Sequence, residues 1–125
     1  TGQVRVPPEA YRENLQTFQT LFAQEQIPVL FVTAPTAHGH LGVYEDLIRR
    51  QFAADAESVL TWHAAYNEIA REVAGENLVE VAHNIEALET EEIRALVQAD
   101  GVHPTHAGTE AIARWVCEGV KQVLP

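Results

Sequence analysis

Asp100 and His103 are separated by two residues in the stretch ADGVHPTHAGTEAIARWV, Ala99 to Val116. A neutral imidazole takes up a proton through one ring nitrogen when the other donates to a carboxylate. The carboxylate fixes the tautomer and stabilises the imidazolium that forms. The pair therefore has the make-up of a general base and its orienting acid. Gly101, between them, permits a tight turn that brings the two side chains face to face. Pro104 and Thr105 follow, and Thr105 is a candidate N-cap for a helix. The positive end of that helix disfavours an imidazolium at His103 while Asp100 favours it, opposed effects that suit a base working near neutrality. The same residues also fit a plain loop with a capping aspartate and a surface histidine.

A base needs a nucleophile to activate. The only serine is Ser58, in ADAESVLTW, with no Gly-Asp-Ser signature and no strand-to-helix elbow around it. Thr1, Thr33, Thr36 and Thr105 sit in no better pattern. His38 and His40 lie two apart in TAHGH, with no cysteine pair and no third ligand placed beside them. No metal site and no cofactor are expected on that basis. Loops at the C-terminal ends of parallel strands line the binding crevices of α/β proteins, so His38, His40 and Tyr44 are candidate substrate contacts.

These loops need elements to hold them. Residues 1–7 read as a loop, and Pro7-Pro8 suits a helix start. Tyr11, Leu15, Phe18 and Phe22 then fall on one helical face. PVLFVT, Pro28 to Thr33, is a short apolar run rich in β-branched and aromatic residues, read as a strand buried on both faces. A loop is expected over Ala34–Gly42. Helical spacing returns at Tyr44, Leu47, Ile48 and Phe52, and again at Trp62, Tyr66, Ile69 and Val73, with Gly75 as a terminator. LVEVA, Leu78 to Ala82, reads as a second strand whose Glu80 points to a solvated face. Thr90 is a candidate cap for a short helix through Leu96, with a solvated acidic start in ETEEIR. A last helix over Thr105–Val123 carries Ala111, Ile112, Trp115, Val116, Val120 and Val123 as its apolar stripe, with Cys117 read as a core residue. Trp62, Tyr66 and Trp115 are also assigned to the core.

The alternation of helices and strands predicts an α/β fold in one domain, residues 1–125. Two strands are too few for a parallel sheet with covered faces, so N-terminal strands are expected to be missing from this chain. A second chain or a missing segment would complete the sheet. The chain has no methionine and begins at Thr1, which also gives the expectation of a processed chain or a fragment.

The formal charge is −10, from 18 acidic and 8 basic residues. Nucleic acid needs a basic surface, so it is not an expected partner. No apolar run reaches the length of a membrane span. A single cysteine excludes a disulfide within the chain. Nothing assigns a compartment.

DGVHPTHAG resembles the last sequence block of the SGNH (GDSL-type) hydrolases: aspartate, two residues, histidine, a proline or leucine, threonine, and a glycine shortly after. YRENLQTFQTLFAQEQIPVLFVTAPT resembles the helix and strand that follow that family's asparagine block. HAAYNEIAREVAGENLVEVA resembles its penultimate helix–strand unit. The resemblance covers the whole chain and corresponds to the family's C-terminal half. It implies a flavodoxin-like, three-layer α/β/α fold with a parallel sheet. It implies a serine esterase or acylhydrolase working through an acyl-enzyme on a small-molecule or carbohydrate ester, with Asp100 and His103 as acid and base of the triad. O-acyl transfer would use the same groups. The serine, the glycine and the G-x-N-D of the other blocks are not found here. A non-catalytic interaction or scaffold module derived from that fold is therefore the rival expectation.

Overall fold

A computed structural model describes residues 6–124. Thr1, and all but the end of the loop expected over residues 1–7, lie outside them. The described elements are, in chain order, α1 (Pro8–Gln24), β1 (Phe31–Val32), α2 (His38–Leu41), α3 (Glu45–Arg49), α4 (Ala56–Ala74), β2 (Leu78–Val79), α5 (Val81–Glu86), α6 (Thr90–Leu96) and α7 (His106–Val123).

Each long helix has a local reason to start. α1 opens on Pro8, whose missing N–H would have had no partner there anyway. α4 opens on Asp55, whose carboxylate accepts from the Ser58 N–H and from the Ser58 hydroxyl, both at 2.7 Å. α7 opens on Thr105, whose hydroxyl accepts from the Gly108 N–H at 3.1 Å. α6 opens on Glu89 rather than the expected Thr90. Glu89 and Glu92 form a reciprocal capping box, because a carboxylate three residues on reaches back to the Glu89 N–H.

α1 lies along α4. Tyr11 meets Tyr66 edge-on with ring centroids 5.0 Å apart, Arg12 pairs with Glu72 at 2.5 Å, and the Gln19 side chain donates to the Val73 carbonyl at 2.7 Å. Phe18 and Leu21 lie outside this contact and are exposed.

β1 and β2 pair in parallel, Phe31 with Leu78 and Val32 with Val79. These are the strands among the described residues, two residues each, and most of the chain is helical. The flavodoxin-like three-layer α/β/α sheet expected above is therefore not the fold. Both apolar runs do meet in parallel, but pairing covers only two residues of each, and side chains take the backbone groups that follow. The Asn67 amide accepts from the Ala34 N–H and donates to the Ala34 carbonyl, both at 2.9 Å. On the other strand, the Thr33 hydroxyl accepts from the Ala82 N–H at 3.0 Å, and α5 begins at Val81. Nor is β1 buried on both faces, since Val32 is 42% exposed.

Glu80 is half-buried, its side chain 35% exposed, so the face it marks is only partly solvated. It accepts from Arg71 Nε at 2.6 Å and from the Thr33 hydroxyl at 3.2 Å, and the Arg71 hydrogen bond holds its carboxyl below the ordinary range. Two core assignments also change. Trp62 is exposed, and so is Cys117. The buried positions of α7 are Gly108, Ala111 and Gly119, and a 100° step per residue carries Cys117 off that face.

One compact cluster underlies the loops of interest. Ala37, Ile85, Ile93 and Val97 are buried together, with Leu41, Leu88, Leu96 and Trp115 packed against them. Ala37 precedes His38, and Val97 starts the segment that leads to Asp100. The cluster therefore supports both candidate loops from below.

Candidate active site

Asp100 and His103 sit at the tip of a hairpin between α6 and α7. Its base is a bridge between Val97 and Pro104. The Gln98 N–H donates to the His103 carbonyl at 2.8 Å, and the Gly101 N–H donates to the Gln98 carbonyl at 2.9 Å, closing the turn. Thr105 ties the outgoing arm to α6. Its N–H donates to the Leu96 carbonyl at 2.9 Å and its hydroxyl to the Ala95 carbonyl at 2.6 Å. A Cβ at Gly108 would lie 1.9 Å from the Leu96 oxygen, so only glycine lets α7 start this close to the end of α6.

Within the turn, Asp100 is fully engaged. Oδ1 accepts from the N–H groups of Val102 and His103, both at 3.0 Å. Oδ2 lies 2.5 Å from His103 Nδ1. The Val102 N–H, the His103 ring and the His103 N–H together lower the Asp100 carboxyl to about 2. An ionised carboxylate only accepts, so His103 Nδ1 carries the proton. That leaves the Nε2 lone pair of the neutral ring free. The side chain of His103 is 71% exposed, and Nε2 makes no hydrogen bond among the described residues. The geometry is that of an oriented general base with an open proton-accepting nitrogen.

The loop after β1 reaches this turn. The Ala37 N–H donates to the Gly101 carbonyl at 2.9 Å. His38 is 3% exposed, and its Nδ1 lies 2.8 Å from the Thr36 hydroxyl and 3.3 Å from the same Gly101 carbonyl. Burial lowers the His38 pKa, with Asp100 opposing that effect. Gly101 has φ +77, and a Cβ there would stand 2.7 Å from Val43 Cγ2 and 3.1 Å from His38 Nδ1. Glycine is required at this position on both counts.

A cleft of about 560 Å³ opens over these groups, lined among others by His38, Val43, Glu45, Leu47, Asp100 and His103. Of the three candidate substrate contacts, His38 is thus brought beside the Asp100–His103 pair. His40 is exposed and does not line the cleft. Tyr44 stands behind His38, with ring centroids 6.0 Å apart. The lining by Glu45 and Asp46 was not read from the sequence. Both follow Tyr44 at the start of α3, and only the turn of the chain at Gly42 brings them to the cleft.

Ser58 is bonded to Asp55 and has no imidazole beside it. Among the described residues the hydroxyl hydrogen-bonded to an imidazole is that of Thr36, on the buried Nδ1 of His38, and it also accepts from the His38 N–H at 3.3 Å. That is a local turn contact, not an activated nucleophile at His103. His38 and His40 diverge, and no group of three or more His, Cys, Asp or Glu is placed to hold a metal ion among the described residues. No helix there is long and apolar enough to cross a membrane. No family model matches the chain, and no curated protein or solved structure does either.

Proposed function

We propose that this chain supplies the acid–base half of a serine-type ester hydrolase resembling the SGNH (GDSL-type) enzymes. The observation that carries the reading is the Asp100–His103 contact, with the free Nε2 of His103 at an open cleft. In the reaction, His103 Nε2 takes the proton from an attacking serine hydroxyl and returns it to the leaving alcohol. Water then repeats the cycle on the acyl-enzyme. Asp100 holds the ring in the tautomer that makes this possible. Ser58, the one serine of the sequence, is hydrogen-bonded to Asp55, so this reading requires a serine from outside these 125 residues. The test is ester hydrolysis by the full-length protein before and after His103→Ala. The expected loss is about 10²–10⁴-fold. Equal rates would remove the assignment.

One observation favours a second reading. Asp100 also satisfies the Val102 and His103 N–H groups, as an aspartate does in a purely structural turn, and no hydroxyl reaches His103 among the described residues. In that reading the chain is a non-catalytic interaction module. Ester turnover that depends on His103 excludes it.

A further inference from the structure

One peptide unit, between Gly101 and Val102, joins His38 to Asp100. Its carbonyl accepts from the Ala37 N–H at 2.9 Å and lies 3.3 Å from His38 Nδ1. Its N–H, that of Val102, donates to Asp100 Oδ1 at 3.0 Å. Asp100 Oδ2 in turn meets His103 Nδ1 at 2.5 Å. The Gly101 carbonyl can only accept, so His38 Nδ1 carries the proton, shared between that carbonyl and the Thr36 hydroxyl. A donor on the carbonyl of a peptide holds its plane and polarises its N–H, which strengthens the bond that the N–H makes. Here the plane needs holding from outside, because Gly101, at φ +77, has no Cβ to restrict it. His38 is fixed enough to do so. The residue is 3% exposed, its own N–H donates to the Thr36 hydroxyl at 3.3 Å, and Tyr44 stands against its ring. The Val102 N–H bond is also the largest of the causes that lower the Asp100 carboxyl to about 2.

We propose that His38 is a positioning residue for the Asp100–His103 pair: its Nδ1–H holds the Gly101–Val102 peptide so that the Val102 N–H meets Asp100, and Asp100 keeps His103 in the Nδ1–H tautomer. His38 then acts through the turn rather than as the substrate contact expected from its loop. The Ala37 N–H still holds the carbonyl when His38 is lost, so the effect is graded. Its consequence for turnover rests on the hydrolase reading.

The protein is compared with His38→Leu and His38→Asn at neutral pH through histidine ring ¹⁵N and backbone amide resonances. Leucine removes the donor, and asparagine returns an N–H at the place of Nδ1. At His103 the ratio of Nδ1–H to Nε2–H tautomer should fall about three- to fivefold in H38L, the scale of one weakened hydrogen bond, and recover in H38N. The Val102 amide proton should move upfield in H38L and return in H38N. A role confined to packing would lower stability and leave both signals in place. The wild type supplies a check that needs no variant, since its His38 ring should carry the proton on Nδ1. A bare Nδ1 there, an unchanged His103 ratio in folded H38L, or no recovery in folded H38N would overturn the proposal. In the full-length protein, kcat for p-nitrophenyl acetate should fall in H38L by no more than the same factor, with KM little changed. If no ester is hydrolysed while the His103 ratio responds, the hydrolase reading falls and the positioning role stands. If the ester is hydrolysed through His103 and the ratio is unmoved, the positioning role falls and the hydrolase reading stands.

Discussion

His38 and Gly101 meet across two loops that are 63 residues apart in the chain: the ring nitrogen of one lies 3.3 Å from the carbonyl of the other. The Ala37 N–H shares that carbonyl. The turn that carries Asp100 and His103 is therefore referenced to the loop that follows β1, and through it to the Ala37–Ile85–Ile93–Val97 cluster. Gly101→Ala should break this reference. An alanine at φ +77 is strained by about 1–2 kcal/mol, and its Cβ overlaps Val43. The expected loss is about 2–4 kcal/mol in urea unfolding. Adding Val43→Ala should recover the part due to overlap, leaving the backbone strain.

Asp100→Asn separates orientation from charge. The Asn oxygen still accepts from the Val102 and His103 N–H groups, so the turn should persist. Its NH₂ then faces His103 Nδ1 and donates to it, which moves the ring proton to Nε2. Ring ¹⁵N shifts should show the Nε2 lone pair in the wild type and a protonated Nε2 in D100N. An unchanged tautomer would mean that Asp100 does not orient the ring. In the full-length protein, ester turnover should fall with the tautomer change while thermal stability moves little.

His38 and His63 both titrate below the ordinary histidine value, chiefly because burial disfavours the imidazolium. His63 Nε2 is buried with no hydrogen-bond partner among the described residues. Glu86 raises the His63 pKa and His38 lowers it further, but burial dominates. The folded pKa values lie below the unfolded 6.5. Between the two, the unfolded chain binds more protons, so stability is full above about 6.5 and falls as pH drops through that window. Urea midpoints measured from about pH 7.5 down to about pH 5 should decline. His63→Leu, which also removes the orphaned nitrogen, should flatten the decline. An unchanged slope would place the titration elsewhere.

Thr33→Val tests how the strands end. The hydroxyl is buried, accepts from the Ala82 N–H at 3.0 Å and donates toward Glu80 and the Val79 carbonyl. Valine keeps the shape and leaves that N–H without an acceptor, for an expected loss of about 1–3 kcal/mol. A neutral result in thermal unfolding would show that water replaces the hydroxyl.

The sequence made the long helices visible because α1, α4 and α7 are long enough for a 3.6-residue period to stand out. It also made the meeting of Asp100 and His103 visible, since two side chains flanking a Gly-containing turn have few other places to go. The four-residue α2 and six-residue α5 have too few turns to show a period, and both were read as loop or strand. Strand length was overestimated for a different reason. Hydropathy reports what can be buried, while the pairing of LVEVA stops where the Thr33 hydroxyl, 49 residues away in the chain, takes the Ala82 N–H and α5 begins. Burial of Cys117 and Trp62 was overestimated because an apolar residue next to a stripe reads like a member of it. The wall of the cleft contributed by α3 depends on the path of the chain at Gly42 and has no local signature.

The grip of Asn67 on Ala34 has a consequence for self-association. In β1 the N–H groups of Phe31 and Thr33 point to β2, so by the alternation of a strand those of Leu30, Val32 and Ala34 point outward. Asn67 occupies both outward groups of Ala34. A side-chain amide thus mimics one residue of a neighbouring strand and leaves only a short stretch of open edge. An incoming strand can register on Leu30 and Val32 but cannot zip past them, which makes the edge a poor template for stacking copies of the chain.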